Sequence, residues 1–143
     1  MSMARLLPLA LALAASTAAW AADDIRCPAQ LQIGPAEISV PALLPRWTPG
    51  QSARPVWLSG IALYDGPPGE QAQLVPDQRT STPSLDTALW HLASPYPAWV
   101  RCQYAGGLFH LDTPVTGQPH SCSASVKKLG DGRGVEIEVS CGN

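Results

Sequence analysis

Residues 121–141, SCSASVKKLGDGRGVEIEVSC, hold two alternating runs on either side of Asp131-Gly132, a dipeptide suited to a tight primed turn. Folding the chain about that dipeptide sets Cys122 opposite Cys141, Ala124 opposite Val139 and Val126 opposite Ile137. The other side sets Ser125 against Glu138 and Lys127 against Glu136. One face is apolar and carries two cysteines, the other is polar and charge-matched, as in a half-buried antiparallel pair. This register predicts a Cys122–Cys141 bridge and leaves Cys27 to pair with Cys102. Four cysteines in all, an even number, fit two disulfides made in an oxidising compartment. A metal site would need close ligand spacing such as C-x-x-C, which the chain lacks.

Upstream, residues 88–115 read ALWHLASPYPAWVRCQYAGGLFHLDTPV, three apolar-rich runs separated by Ser94-Pro95-Tyr96-Pro97 and by Gly106-Gly107. They predict three antiparallel strands. A two-residue turn at Gly106-Gly107 pairs Cys102 with Leu111, Tyr104 with Phe109 and Val100 with Thr113 on a core face that also takes in His91. The opposite face pairs Gln103 with His110 and Arg101 with Asp112. A second turn at SPYP sets Trp90 opposite Arg101 and Leu92 opposite Trp99. The result is a candidate binding patch of Trp90, Trp99, Arg101, Gln103, His110 and Asp112. Aromatic plates beside a guanidinium, an imidazole and a carboxylate suit a protein hot spot or a stacking polar ligand. The competing reading is structural: the N-terminal half covers this face, both tryptophans pack in a second layer, and Arg101–Asp112 is a cross-strand pair. Residues 31–40 (LQIGPAEISV), a Pro-rich bend with Trp47, and residues 56–64 (VWLSGIALY) supply that cover.

Fifteen prolines and 12 glycines leave little room for helix, and only Ser84 to Leu89 reads as mildly helical. The stretch from Tyr64 to Leu85 carries turn chemistry at Asp65-Gly66-Pro67-Pro68 and Pro76-Asp77, and reads as a binding loop or a compact surface loop. The fold class is mostly β: an antiparallel β-sandwich or small barrel built of hairpins and stapled by two disulfides.

Residues 1–21, MSMARLLPLALALAASTAAWA, read as a signal peptide cut at Ala19-Trp20-Ala21, which leaves 22–143 as a single β domain exported to the periplasm. Cys27 follows Asp24-Ile25-Arg26, so no lipobox precedes it and stable membrane insertion is not expected after cleavage. With 9 basic and 11 acidic residues the formal net charge is −2 and no basic run exceeds Lys127-Lys128, against a nucleic-acid partner. No nucleophile motif or metalloprotease helix is present, and His110 with Asp112 could form a general-base pair but has no nucleophile to serve. Neither an enzymatic activity nor a cofactor is expected.

Several of these elements are familiar together: Cys27-Pro28, Leu63-Tyr64-Asp65-Gly66-Pro67-Pro68, Leu74-Val75-Pro76-Asp77, the Trp90 strand and Cys102-Gln103-Tyr104-Ala105-Gly106. In this combination the chain resembles an uncharacterised family of small proteobacterial periplasmic proteins. The resemblance implies a periplasmic home and two disulfides, and brings no activity with it. The strand around Val100-Arg101-Cys102 is also similar to small β-barrel inhibitors of C-type lysozyme. The inhibitory loop of those proteins has no counterpart, because SASVKKLG falls on a predicted strand. The expected function is that of a periplasmic binding or inhibitor-type protein whose partner is another protein, such as a cell-wall hydrolase or an incoming toxin. Binding of peptidoglycan or another envelope glycan, or a structural role in the envelope, are the alternatives.

Overall fold

A computed structural model describes residues 22–34, 54–70 and 72–143; the proposed signal peptide and Trp47 lie outside them. The described strands are β1 (Asp23–Arg26), β2 (Gln30–Gln32), β3 (Pro55–Asp65), β4 (Gln73–Leu74), β5 (Gln78–Ser81), β6 (Leu85–His91), β7 (Ala98–Tyr104), β8 (Phe109–Pro114), β9 (Ser121–Lys128) and β10 (Val135–Gly142). They form two antiparallel sheets with a half-barrel curl. One has the order β1-β10-β9-β6-β5. The other has the order β2-β3-β7-β8, with β4 also paired to β3.

The β9–β10 hairpin has the register its alternation demands, with Cys122 opposite Cys141 and Val126 opposite Ile137. The turn is wider than the primed two-residue turn the sequence suggested. Leu129 N–H donates to Gly134 O, Gly132 N–H donates to Leu129 O, and the Asp131 side chain accepts from Arg133 N–H. Four loop residues satisfy their polar groups this way without moving the ladder by a residue. The β7–β8 turn is likewise wider than the two residues the sequence suggested: Ala105, Gly106, Gly107 and Leu108 join Tyr104 to Phe109, the last pair of the ladder. Ala105, Gly106 and Gly107 all have positive φ (49°, 69° and 94°), a conformation the two glycines adopt freely.

The core lies between the sheets. Leu58, Leu63, Val100, Cys102 and Tyr104 from one meet Trp90, Cys122, Ala124, Ile137 and Val139 from the other. Both disulfides form as expected. Cys122–Cys141 staples neighbouring strands, whereas Cys27–Cys102 ties the segment after β1 to the centre of the opposite sheet. Beside it, the fully buried Tyr104 donates its hydroxyl to Pro28 O at 2.9 Å. The Cys27-Pro28 segment is therefore held by a covalent and a hydrogen bond at adjacent residues, where the chain passes from one sheet to the other.

Three sequence expectations are corrected. Ser84–Leu89 is not helical, since Leu85–His91 is a central strand between β5 and β9. The SPYP segment is not a hairpin turn but a crossing between sheets. β6 pairs with β9, Trp90 faces Cys122, and neither Trp90–Arg101 nor Leu92–Trp99 forms. Two prolines remove donors that a tight turn would use, and Trp90 gains burial between the sheets instead. Tyr64–Leu85 is largely ordered pairing: Asp65 N–H bonds Ala72 O, Leu74 pairs with Leu63, and Gln78–Ser81 pairs with β6.

Candidate functional site

The β7–β8 ladder has the register read from the sequence: Arg101 faces Asp112, Gln103 faces His110, and Cys102 faces Leu111. Alternation along β7 buries Ala98, Val100, Cys102 and Tyr104 and leaves Trp99, Arg101 and Gln103 half-buried on the outer face. Five of the six candidate residues, Trp99, Arg101, Gln103, His110 and Asp112, thus share the outer side of one hairpin. The sixth, Trp90, does not join them. It is 4% exposed in the core on the other sheet, and its indole N–H points to Leu74 O at 3.4 Å. His91, expected on the core side of the ladder, is exposed; its backbone N–H donates to Asp77 at 2.7 Å, with Nδ1 3.2 Å from the same oxygen.

Asp112 is the electrostatic centre of the face. Arg101 approaches it with both arms, Nε to Oδ1 at 2.7 Å and Nη2 to Oδ2 at 2.8 Å. The side chains are only 19% and 23% exposed, so the pair is better shielded than a surface ion pair. The Arg101 hydrogen bonds hold the Asp112 carboxyl below the usual carboxylate range against the opposing effect of burial, and the guanidinium is correspondingly raised. His110 Nε2 lies 3.7 Å from Asp112 Oδ2.

Sequence reading missed two residues here. Tyr64 lies under Arg101, whose guanidinium carbon sits 4.9 Å from the ring centroid and whose Nη1 is 3.4 Å from the hydroxyl. Stacking and the ion pair together fix the guanidinium plane. Gly60 leaves room for Gln103, whose Oε1 lies 3.1 Å from where a Cβ would be. Both come from β3, which pairs with β7 so that Tyr64 faces Trp99, Ala62 faces Arg101 and Gly60 faces Gln103. Trp99 is half-buried, and its indole N–H is covered and has no partner among the described residues. It therefore presents ring edge rather than a hydrogen bond.

Concavities lie elsewhere, among them these two. One of about 510 Å³ crosses the outer face of the first sheet, lined by hydroxyls of Thr80, Thr87, Ser123, Ser125 and Ser140. The other, about 660 Å³, lies at one end of the sandwich beside His91, Tyr96 and His120. Neither includes Arg101 or Asp112. Among the described residues no cluster of His, Cys, Asp and Glu could hold a metal ion, and no helix is long and apolar enough to cross a membrane.

The described residues thus form a small, disulfide-stapled β scaffold that carries an arginine-centred polar and aromatic face on β7 and β8. Residues 52–142 match the family model of the type VI secretion system Tli immunity proteins, and the chain belongs to that family. The match spans β3 to β10 and so takes in the whole candidate face. No curated protein and no solved structure matches the chain.

Proposed function

We propose that this protein neutralises a type VI effector toxin by binding it in the periplasm through the outer face of the β7–β8 hairpin. Membership of the immunity family carries the function: such a protein has a toxin as its partner and needs no catalytic centre of its own. The Arg101–Asp112 pair over Tyr64 carries the location. A guanidinium held rigid by a bidentate carboxylate and an aromatic ring loses little freedom on binding, and arginine so placed is a common anchor of protein interfaces. His110 and Gln103 flank it with polar groups, and Trp99 adds apolar edge. Two disulfides fit an oxidising compartment, which supports a periplasmic encounter with an incoming toxin.

The test is co-expression of the cognate effector, directed to the periplasm, with wild-type protein or with Arg101→Glu. Wild type protects the cells and the variant does not, although it accumulates to the same level. Protection by a folded Arg101→Glu protein places the toxin-binding surface elsewhere.

A further inference from the structure

Strand β8 is paired on one side only. β7 occupies that side, and among the described residues nothing pairs with the other. The remaining sheet edges are blunted: β5 is Gln-Arg-Thr-Ser, β1 carries Asp23, Asp24 and Arg26, and β2 and β4 are three and two residues long. In contrast, β8 (FHLDTP) has no lysine and no register shift against β7. With the residue before it, it exposes Leu108 at 80%, Phe109 at 38% and Leu111 at 41%. The sequence placed Phe109 and Leu111 on the core face; they do point to that side, but they lie at the rim of the sheet and remain open. An edge of this length and apolarity is a template for another strand.

The bonds at the start of β7 fix which backbone groups of β8 are free. Val115 N–H donates to Ala98 O at 2.8 Å, and on the other side of β7 Gly66 N–H donates to Pro97 O at 3.1 Å. Odd-numbered residues of β7 thus bond β3 and even-numbered ones bond β8, so in this unbroken register Phe109, Leu111 and Thr113 bond β7, and the N–H and C=O groups of His110 and Asp112 point away from it.

We propose that a second copy of this chain occupies the edge, its β8 running antiparallel to the first about a twofold axis at Leu111. Leu111 then faces the second copy's Leu111, Phe109 faces Thr113, and His110 faces Asp112, each pair occurring on both sides of the axis. The free groups of His110 and Asp112 find partners in this register, each bonding the other residue of the second copy, while Leu111 faces Leu111 as a non-hydrogen-bonded pair. A twofold interface needs a patch that complements itself, and HLD does so, with imidazole against carboxylate on either side of an apolar centre. An imidazole N–H donates to a carboxylate whether the ring is neutral or charged. Registers centred on Phe109 or Thr113 lose the His110–Asp112 match. The dimer joins β2-β3-β7-β8 of two copies into one sheet and sets two Trp99–Arg101–Gln103 faces side by side.

Sedimentation of the purified, oxidised protein over a wide concentration range tests this, with Leu111→Lys and the control Leu85→Lys on the other sheet. The wild type and the control reach the two-chain mass, while Leu111→Lys, which sets like charges against each other across the axis, stays at the one-chain mass with an unchanged circular dichroism spectrum. A wild type that remains single up to millimolar concentration overturns the proposal, and so does a Leu111→Lys protein that dimerises equally well. Should that variant fail to fold, hydrogen exchange of the wild type decides. Protection of the His110 and Asp112 amides that grows with concentration supports the dimer. Protection already present in the single chain assigns the edge to a segment such as residues 35–53 and overturns it.

Discussion

Arg101 and Asp112 face each other across the β7–β8 ladder and are joined by two parallel hydrogen bonds of 2.7 and 2.8 Å, with Tyr64 beneath the guanidinium. The pair couples two things: the register of an edge strand and the orientation of the group proposed to meet a partner.

Because the Asp112 carboxyl is held below its ordinary range by Arg101, its contribution to stability is present above the unfolded-state carboxylate pKa, about 3.9. It is lost as pH falls from there through the lower folded value. Asp112→Asn should flatten that part of the acid limb of an equilibrium unfolding profile, and near neutral pH it should cost about 1 kcal/mol, the worth of a well-formed, partly exposed pair. An acid limb identical to wild type would show that the pair contributes nothing to folding.

The two disulfides should differ in weight. Cys27–Cys102 closes a separation of 75 residues and Cys122–Cys141 one of 19. Chain-entropy arithmetic gives about 4.5 and about 3 kcal/mol. Replacing both members of each pair by alanine and comparing urea midpoints should show the larger loss for Cys27/Cys102, which also joins the two sheets. The reverse order would mean that the hairpin staple governs the core.

Removing the Tyr104 hydroxyl isolates a single bond. Tyr104→Phe keeps the ring in its fully buried place but strips Pro28 O of its donor, at a cost of about 1 kcal/mol and up to about 3 if the carbonyl stays dry. Thermal melts with intact disulfides measure it; an unchanged midpoint would show that water replaces the hydroxyl.

Trp90 and Trp99 should separate cleanly. Trp90→Ala removes a core side chain and should cost about 3–5 kcal/mol, while any folded fraction keeps its affinity for the toxin. Trp99→Ala should cost less stability and more binding. Equal effects of the two on affinity, measured by calorimetry on the folded proteins, would contradict the assignment of Trp99 to the interface.

What the sequence made legible was local. The β9–β10 and β7–β8 registers follow from turn residues and alternation within some twenty residues, and the disulfide pairing follows from the first of them. What it hid was the partner of β6. A strand between two proline-bearing connections can turn back on its neighbour or cross to another sheet, and the burial of Trp90 against Cys122 that decides the matter involves residues far apart in the chain. For the same reason Tyr64 and Gly60 escaped the candidate face. Their place depends on β3 lying beside β7, and no local signal announces that pairing.

The most direct test of the account is calorimetric titration of the purified cognate effector into the oxidised wild-type protein and into Arg101→Glu. The account predicts tight, stoichiometric binding by the wild type, and loss of about 2 kcal/mol or more for the variant, as expected for a central arginine anchor, with its fold intact by circular dichroism. Equal affinity of the two proteins would contradict it.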